Sequence, residues 1–278
     1  MTSSPTVKRR RLSTALKQAR LDVGLDAKEA ARRLGWDPTK IHRIERNKWQ
    51  RPDPRDIRDL LDLYEVLDER QREALLALAR DSRHRGWWAD YQDVFRGSLP
   101  DFESGSAVIR TYEAMLVPGL LQTADYVRAV MRAGAWFDER AIERRVEARL
   151  ARQEILDRDH PPQLWAVIDE AALRRTIGGP EVMRAQIENI LKVGEQGRVA
   201  VQVLPLDAGA HAAMDGGFVI LDFDEDPSLV VIETATDTLY LETTEELHRY
   251  TVAYSHVQAL ALAPEASARF MESMIQQL

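Results

Sequence analysis

Residues 25–51 read LDAKEAARRLGWDPTKIHRIERNKWQR and contain two short helical patterns, which are interrupted at Gly35-Trp36. We expect Asp26 to cap the first helix and Asp37 to cap the second, because a short side-chain oxygen accepts hydrogen bonds from the free amides of a first turn. Pro38 suits the first position of the second helix, where a missing N–H leaves nothing unpaired. The pattern therefore predicts two short helices that are joined by a tight turn.

The second of these helices has an apolar side and a polar side. Ala31 is small enough for a close helix crossing, Gly35 tolerates a positive φ in the turn, and Ile41 and Ile44 fit a buried inner face. The opposite face carries polar and cationic residues, namely Thr39, Lys40, His42, Arg43 and Arg46. Such a helix is shaped for the major groove of DNA. A small helical hairpin with a solvated basic face is the alternative interpretation.

Individual DNA contacts can be assigned by side-chain chemistry. Arg43 can donate two hydrogen bonds to guanine O6 and N7, and Thr39 can offer its hydroxyl to a base or its methyl to a thymine. Pro38 and His42 lie beside them. The remaining candidates suit phosphates, which give affinity without sequence information, and they are Lys28, Lys40, Arg46, Lys48 and Arg51. Each charge in this set can also be read as a solvated surface group.

The charge of the chain is divided unevenly. The whole chain has a net charge of −7, yet residues 1–51 hold 14 Lys and Arg against 5 Asp and Glu, a net +9. The other 227 residues hold 24 basic and 40 acidic residues, a net −16. A basic module on an acidic body is expected when one end of a protein binds phosphates.

The sequence predicts a basic N-terminal tail that is followed by a first helix. Residues 1–8 are rich in Ser, Thr and Pro and are expected to be disordered, and the basic run 8–11 suits a phosphate backbone, a minor groove or a solvated tail. Leu12, Leu16, Ala19 and Val23 recur at helical spacing. Arg20 falls on or beside that buried stripe, where an unpaired charge would be costly.

Residues 24–52 resemble the helix-turn-helix domain of the phage-repressor (Cro-like, xenobiotic response element) family. The resemblance implies an ion pair between Arg20 and Glu45, which ends the recognition helix. Two positions depart from the pattern: Ala27 replaces a phosphate-contacting Gln, and Asn47 replaces a Gly that follows the second helix. The matching residues are Gly24, Ala31, Gly35, Ile41, Ile44, Glu45 and the pair Arg51-Pro52.

The chain is predicted to be multi-domain, with an all-α repressor-type helix-turn-helix domain (1–85), an aromatic hinge (86–100) and an α+β domain with an antiparallel sheet (101–278). In the last of these, 104–115 is expected to be helical, 164–169 to be a strand, and Asp138 to cap a long amphipathic helix. An antiparallel meander is expected over four further strands, 199–204, 218–223, 229–233 and 238–242.

The second half of the chain also resembles a known family. Its runs VPGLLQTADYVRAV, RLARQEIL, VIDEAALRR, GGPEVMRAQIENIL and VQVLPLDAGAH are similar to the C-terminal domain of unknown function that accompanies this helix-turn-helix in actinobacterial regulators. The resemblance implies a transcriptional regulator, in some cases the antitoxin-like half of a pair with a small neighbouring protein. It implies no catalytic residue.

For the remaining candidate sites of the chain, structural explanations are favoured. His211, near Asp207 and Asp215, can be read as a base or metal ligand, but a structural histidine is favoured because no second histidine or nucleophile motif accompanies it. The acidic run 222–226 lacks the spacing of a calcium loop. A sensor pocket is the alternative to core packing for five residues, and core packing is favoured; they are Leu120, Leu121, Tyr126, Trp165 and Phe218. We therefore expect no enzyme activity, no metal and no cofactor.

These observations predict a DNA-binding transcriptional regulator that binds an inverted-repeat operator as a homodimer. Its C-terminal domain would mediate dimerisation and sense an effector or partner. The alternative is an antitoxin-like protein that binds a small partner from an adjacent gene and regulates its own operon. The absence of cysteine and of any apolar run of ~20 residues favours a cytoplasmic location without a membrane span.

Overall fold

The computed structural model describes residues 4–49, 51–83, 86–95 and 97–278. They form two compact units, Met1–Asp90 and Tyr91–Leu278. The division falls within residues 86–100, whose role as a hinge stays a prediction. Within the described residues, no helix is both long and apolar enough to cross a membrane.

The first unit is a bundle of five α-helices around one apolar core. The helices are α1 (Pro5–Asp22), α2 (Ala27–Leu34), α3 (Pro38–Glu45), α4 (Pro54–Leu63) and α5 (Glu69–Asp81). Fully buried side chains of all five helices meet in this core, among them Leu12, Ala31, Ile41, Leu60 and Ala79. Aspartates cap α2, α3, α4 and α5, because each of these helices begins where a short acidic side chain can accept from first-turn amides.

The N-terminal segment differs from the expectation of a disordered basic tail. Helix α1 begins at Pro5 and is capped by Ser4, so disorder is wrong from residue 4 onward, while residues 1–3 lie outside the described residues. Arg9 and Arg10 are buried, and the Nε of Arg9 donates to Asn47 Oδ1 at 3.0 Å. Lys8 Nζ lies 2.8 Å from Asp81 Oδ2. The basic run 8–11 is therefore part of the helical bundle rather than a tail for the minor groove.

The second unit is α+β, with a six-stranded sheet in the order β3-β2-β1-β4-β5-β6. Its strands are β1 (Val108–Glu113), β2 (Gln163–Asp169), β3 (Val199–Leu204), β4 (Phe218–Asp222), β5 (Leu229–Glu233) and β6 (Thr238–Leu241). Its helices are α6 (Leu99–Gly105), α7 (Ala124–Ala133), α8 (Glu139–Gln153), α9 (Glu170–Arg174), α10 (Pro180–Gly194), α11 (Thr244–Leu260) and α12 (Pro264–Ile275). Asp138 caps α8, as predicted. Short 3-10 helices occur at Trp87–Tyr91, Gly119–Leu121, Glu154–Leu156 and Leu206–Ala208.

The predicted α+β class is confirmed, and three of the five strand pairs are antiparallel, but two finer expectations are wrong. Residues 104–115 are not one helix, because α6 ends at Gly105 and β1 follows. The sheet is also mixed rather than a simple meander. Strand β1 pairs in parallel with β2 and β2 in parallel with β3, whereas the β1–β4, β4–β5 and β5–β6 pairs are antiparallel. Strand β3 is therefore an edge strand, separated from β4 by β2 and β1.

The two faces of the sheet have different surroundings. On one face, Tyr112 and Phe218 pack with Tyr254 and Val257 of α11 in a buried apolar cluster. Side chains alternate along a strand, so Ile109, Thr111 and Glu113 of β1 point to the other face. There they line a cavity together with Arg149 and Arg152 of α8. This second face is polar at its centre.

Candidate nucleic-acid interface

The turn between α2 and α3 is fixed by local hydrogen bonds. Asp26 Oδ1 accepts from the Glu29 amide at 2.7 Å, and Asp37 Oδ1 accepts from the Thr39 amide at 2.8 Å. Gly35 ends α2 with a φ of 65°, in the left-handed region that glycine adopts without strain. Both caps and the turn glycine are therefore as predicted, and they set the angle at which α3 leaves the turn.

Helix α3 is held by its inner face and by its C-terminal end. Ile41 is 0% exposed and Ile44 is 3% exposed. Asn47 follows the helix with a φ of 53°, in the left-handed region that Asn adopts more readily than most residues other than Gly. The side chain of Asn47 is also the acceptor for Arg9. The opposite face of α3 is thereby presented to solvent in one orientation.

A buried ion pair ties α3 to α1. Arg20 Nε lies 2.6 Å from Glu45 Oε1, and Arg20 Nη2 donates to Glu45 Oε2 at 2.9 Å. Arg20 Nη1 also donates to the Leu25 carbonyl at 2.5 Å. The two charged side chains are only 8% and 6% exposed, and the hydrogen bond to Glu45 raises the pKa of Arg20 above its usual range. A bidentate pair of this kind stabilises the contact between α1 and α3 and also fixes their relative orientation.

Most of the predicted DNA-contacting residues are exposed. Thr39, His42, Arg43 and Arg46 lie on the outer side of α3 or at its end. Within the described part of the chain, no hydrogen bond or ion pair engages the side chain of His42, Arg43 or Arg46. The remaining exposed candidates lie around the helix, and they are Lys28, Pro38, Lys48 and Arg51.

Lys40 and Thr39 are placed differently from the free groups that the sequence suggested. Lys40 is half-buried: its Nζ lies 2.7 Å from Asp56 Oδ1 and 3.7 Å from the centre of the Trp36 ring. It therefore connects α3 to α4 instead of extending freely towards a phosphate. The Thr39 hydroxyl donates to Asp37 Oδ1 at 2.5 Å, which leaves its lone pairs and its methyl for a base. Sequence reasoning missed the roles of Asp56 and Arg9, because both act across long sequence separations.

The side chains of His211 and Asp215 contact other protein side chains. His211 Nε2 lies 3.3 Å from the Tyr112 hydroxyl, and that hydroxyl lies 3.3 Å from Asp169 Oδ2. Asp215 faces Arg249 at 3.7 Å instead of His211. No group of three or more metal-ligating side chains suited to an ion occurs among the described residues.

The five residues suggested for a sensor pocket do not line a single cavity. Leu120 and Phe218 border the cavity on the polar face of the sheet. Leu121 and Tyr126 are buried in the core, and Trp165 is 39% exposed. The cavity on that face is instead lined centrally by charged groups, which apolar patterning does not reveal.

Comparison with protein families agrees with this architecture. Residues 11–75 match the model of a helix-turn-helix domain, and residues 97–273 match that of a domain of unknown function, DUF5753. Comparisons with curated proteins and with solved structures give no match. The first match confirms the resemblance of the N-terminal unit to helix-turn-helix DNA-binding domains of the Cro-like type. Because the second match spans more than half of the chain, this protein belongs to the DUF5753 family, here with a helix-turn-helix domain at its N-terminus.

Proposed function

We propose that this protein is a sequence-specific transcriptional regulator that reads DNA with the outer face of α3. The observation that carries the proposal is the exposed row of Thr39, His42, Arg43 and Arg46 on a helix whose opposite face is buried. Arg43 and Thr39 would contact bases, with Pro38 and His42 beside them. Lys28, Arg46, Lys48 and Arg51 would contact phosphates.

The way α3 is held supports this role. A recognition helix gains specificity when its position is fixed before DNA arrives, because less conformational freedom is lost on binding. The Arg20–Glu45 pair, the Lys40–Asp56 pair and the Arg9–Asn47 hydrogen bond attach α3 and its end to α1 and α4. We infer that these contacts set the approach angle of α3 rather than reading sequence themselves.

The C-terminal domain is proposed to dimerise the protein and to sense an effector or partner. One sheet edge is covered, because β3 exchanges backbone and side-chain hydrogen bonds with Leu262 and Ser267. The other edge is β6, on which Leu239 is 45% exposed. An edge strand of this kind can pair with its own copy across a two-fold axis. A regulator without enzyme activity fits this assignment, and an antitoxin-like partner protein is the rival use of the same domain.

The proposal can be tested by selecting duplexes from a random-sequence library with the full-length protein. We expect an enriched inverted repeat, since two α3 helices of a dimer would read identical half-sites. Sedimentation of the same sample gives the number of protomers per duplex. Enrichment of a single half-site by a monomer would contradict the dimer, and no enrichment together with salt-sensitive binding to all duplexes would contradict sequence-specific reading. A small protein that co-purifies in stoichiometric amount would favour the antitoxin-like alternative.

A further inference from the structure

A cavity lies on the polar face of the sheet in the C-terminal unit. It has a volume of about 260 Å³, and strands β1, β4 and β5 form its floor while α8 and the 3-10 helix Gly119–Leu121 cover it. A second cavity of about 290 Å³ shares Arg149, Arg152 and Glu233 with it as lining residues. Together the two spaces are of the size that small-molecule sites occupy.

The two arginines that face this cavity have different surroundings. Arg152 is satisfied, because its Nε and Nη2 lie 2.6 and 2.7 Å from the carboxylate oxygens of buried Glu103. Arg149 makes no hydrogen bond or ion pair with any residue that the structure describes. Its guanidinium lies against Gly119 so closely that a Cβ at that position would clash with Nη1. Burial and the neighbouring Arg152 lower the pKa of Arg149 to about 10.

The floor of the cavity has unsatisfied polar groups as well. The Thr111 hydroxyl belongs to a residue that is only 3% exposed, and it has no hydrogen-bond partner among the residues that the structure describes. A buried hydroxyl is normally paired, so an unpaired one that borders a cavity is a polar group available to a ligand. Two residues along from it, the carboxyl of Glu113 accepts no hydrogen bond within the described structure. Glu233 adds a second carboxyl, which is exposed.

We propose that this cavity binds a small zwitterion, such as an α-amino acid or another short aminocarboxylate. The ligand carboxylate would pair with the guanidinium of Arg149, which can donate two parallel hydrogen bonds. The ligand ammonium would lie towards Glu113 and Glu233, and the Thr111 hydroxyl oxygen would accept a hydrogen bond from it. A zwitterion fits better than a simple anion or cation, because the free groups of the cavity carry both signs of charge.

The stability of variants distinguishes a ligand site from a structural network of charges. An unpaired charge in a partly desolvated place costs stability until a partner arrives. If Arg149 binds a ligand, Arg149→Met should lose binding. Its melting temperature should be equal to or higher than that of the wild type, because functional residues often reduce the stability of the unliganded protein. If Arg149 is structural, the same variant should melt earlier. Thr111→Val is nearly isosteric and removes only the unpaired hydroxyl.

The inference refines the sensing role proposed for the C-terminal domain, and it is tested without DNA. The full-length protein is mixed singly with each of the twenty L-amino acids, β-alanine and 4-aminobutyrate, and followed by thermal unfolding and titration calorimetry. We expect at least one probe to bind one-to-one and to raise the melting temperature. The N-acetyl and amide forms of that probe, each lacking one charge, should bind at least about ten-fold more weakly, which is ~1.4 kcal/mol.

Variants then locate the site. Arg149→Met should abolish binding and Thr111→Val should weaken it, whereas Arg140→Met, at an exposed position of the same helix, should bind as the wild type does. Failure of every probe to bind the wild-type protein would overturn the proposal. Unchanged binding by Arg149→Met would also overturn it. If Arg149→Met does not fold, unchanged binding by Thr111→Val would overturn it instead. Selection of an operator by the same protein would still support the DNA-binding function, so the two proposals can fail separately.

Discussion

Arg20 of α1 and Glu45 of α3 lie 25 residues apart in sequence and form a buried bidentate ion pair. Removing one partner of such a pair leaves the other charge desolvated, which costs about 3–5 kcal/mol. We expect Glu45→Ala to lower the free energy of unfolding of the N-terminal unit by about this amount and to weaken binding to all DNA sequences alike. Scanning calorimetry of the full-length protein measures the first effect, and anisotropy with random duplexes measures the second.

A double substitution is the control for this prediction. Arg20→Met with Glu45→Met removes both charges and keeps apolar bulk, so it should recover much of the stability that either single change loses. Unfolding of Glu45→Ala at the wild-type temperature would show that the pair contributes little and that the helix-turn-helix is held by its apolar core alone.

Arg43 and Lys48 should affect DNA binding in different ways. Arg43→Ala removes the proposed base contact, so affinity for the selected operator should fall by about 1–3 kcal/mol while binding to random duplexes changes little. Lys48→Ala should weaken both, and should reduce the slope of log K against log salt by about 0.9. Anisotropy titrations at several salt concentrations distinguish the two patterns. Equal losses on operator and random DNA for Arg43→Ala would place Arg43 on a phosphate.

Glu113 gives the C-terminal unit a dependence on pH. Burial and the nearby carboxylate of Glu233 raise its pKa to about 7, against the opposing effect of Arg152 and Arg149. Tyr112 and Tyr126 are the other titratable groups that interact with it. Because the folded state prefers the neutral carboxyl, this contribution is fully present below the ordinary pKa of 4.5 and is lost as the pH rises through about 7.

Glu113→Gln tests this dependence, because the amide stays neutral at every pH. Urea unfolding at about pH 5 and about pH 8 should show a smaller loss of stability in the variant than in the wild type, by roughly 1–3 kcal/mol for a side chain that is only partly exposed. The comparison with wild type cancels every contribution to the pH dependence that the two proteins share. An identical pH dependence in both proteins would mean that Glu113 titrates normally.

At the scale of elements, the turn between α2 and α3 depends on one backbone conformation. Gly35 has a φ of 65°, and a Cβ built there would meet nothing within 4 Å. Gly35→Ala should therefore cost about 1–2 kcal/mol through backbone strain alone. Gly194→Ala in α10 is the matched control: it also meets nothing within 4 Å, and a helical alanine should be neutral or stabilising. Calorimetry that finds equal effects for both variants would rule out strain at the turn.

The elements that the sequence predicts well are those specified locally. Asp26, Asp37 and Asp138 each accept from amides two or three residues away, so the beginnings of these three helices can be read directly from the chain. The apolar positions of α3 and the glycine of the turn are equally local. These features place the recognition helix without any knowledge of the tertiary fold.

The elements that the sequence misses depend on distant partners. Residues 108–113 form strand β1 because residues 163–168 and 218–222 pair with them. The sequence of 104–115 alone does not indicate those partners. Arg9 and Lys40 look like free cations, yet Asn47 and Asp56 hold them. The charged cavity is hidden for the same reason, since Thr111 and Arg149 come together only when α8 covers the sheet.

At the scale of the whole molecule, charge and size argue for two copies. One recognition helix contacts only a few base pairs, and the acidic C-terminal unit is unsuited to hold DNA. We expect full-length protein to sediment as a homodimer at micromolar concentration. Leu239→Lys on β6 should shift it towards monomer, because a charge at a sheet edge opposes edge-to-edge pairing. Leu206→Lys, at another exposed apolar position, is the control. Equal sedimentation of both variants and wild type would exclude the β6 edge as the interface.

The most direct test of α3 as the reading element is a side-by-side selection from random DNA with wild-type protein and Arg43→Gln. For the wild type we predict an inverted repeat whose half-sites lie ~34 Å, or a multiple of that spacing, apart. For Arg43→Gln we predict the same spacing with a changed base at one position of each half-site, since Gln pairs with adenine where Arg pairs with guanine. An identical motif from both proteins, or no motif from the wild type, would contradict the assignment of α3 as the element that reads DNA.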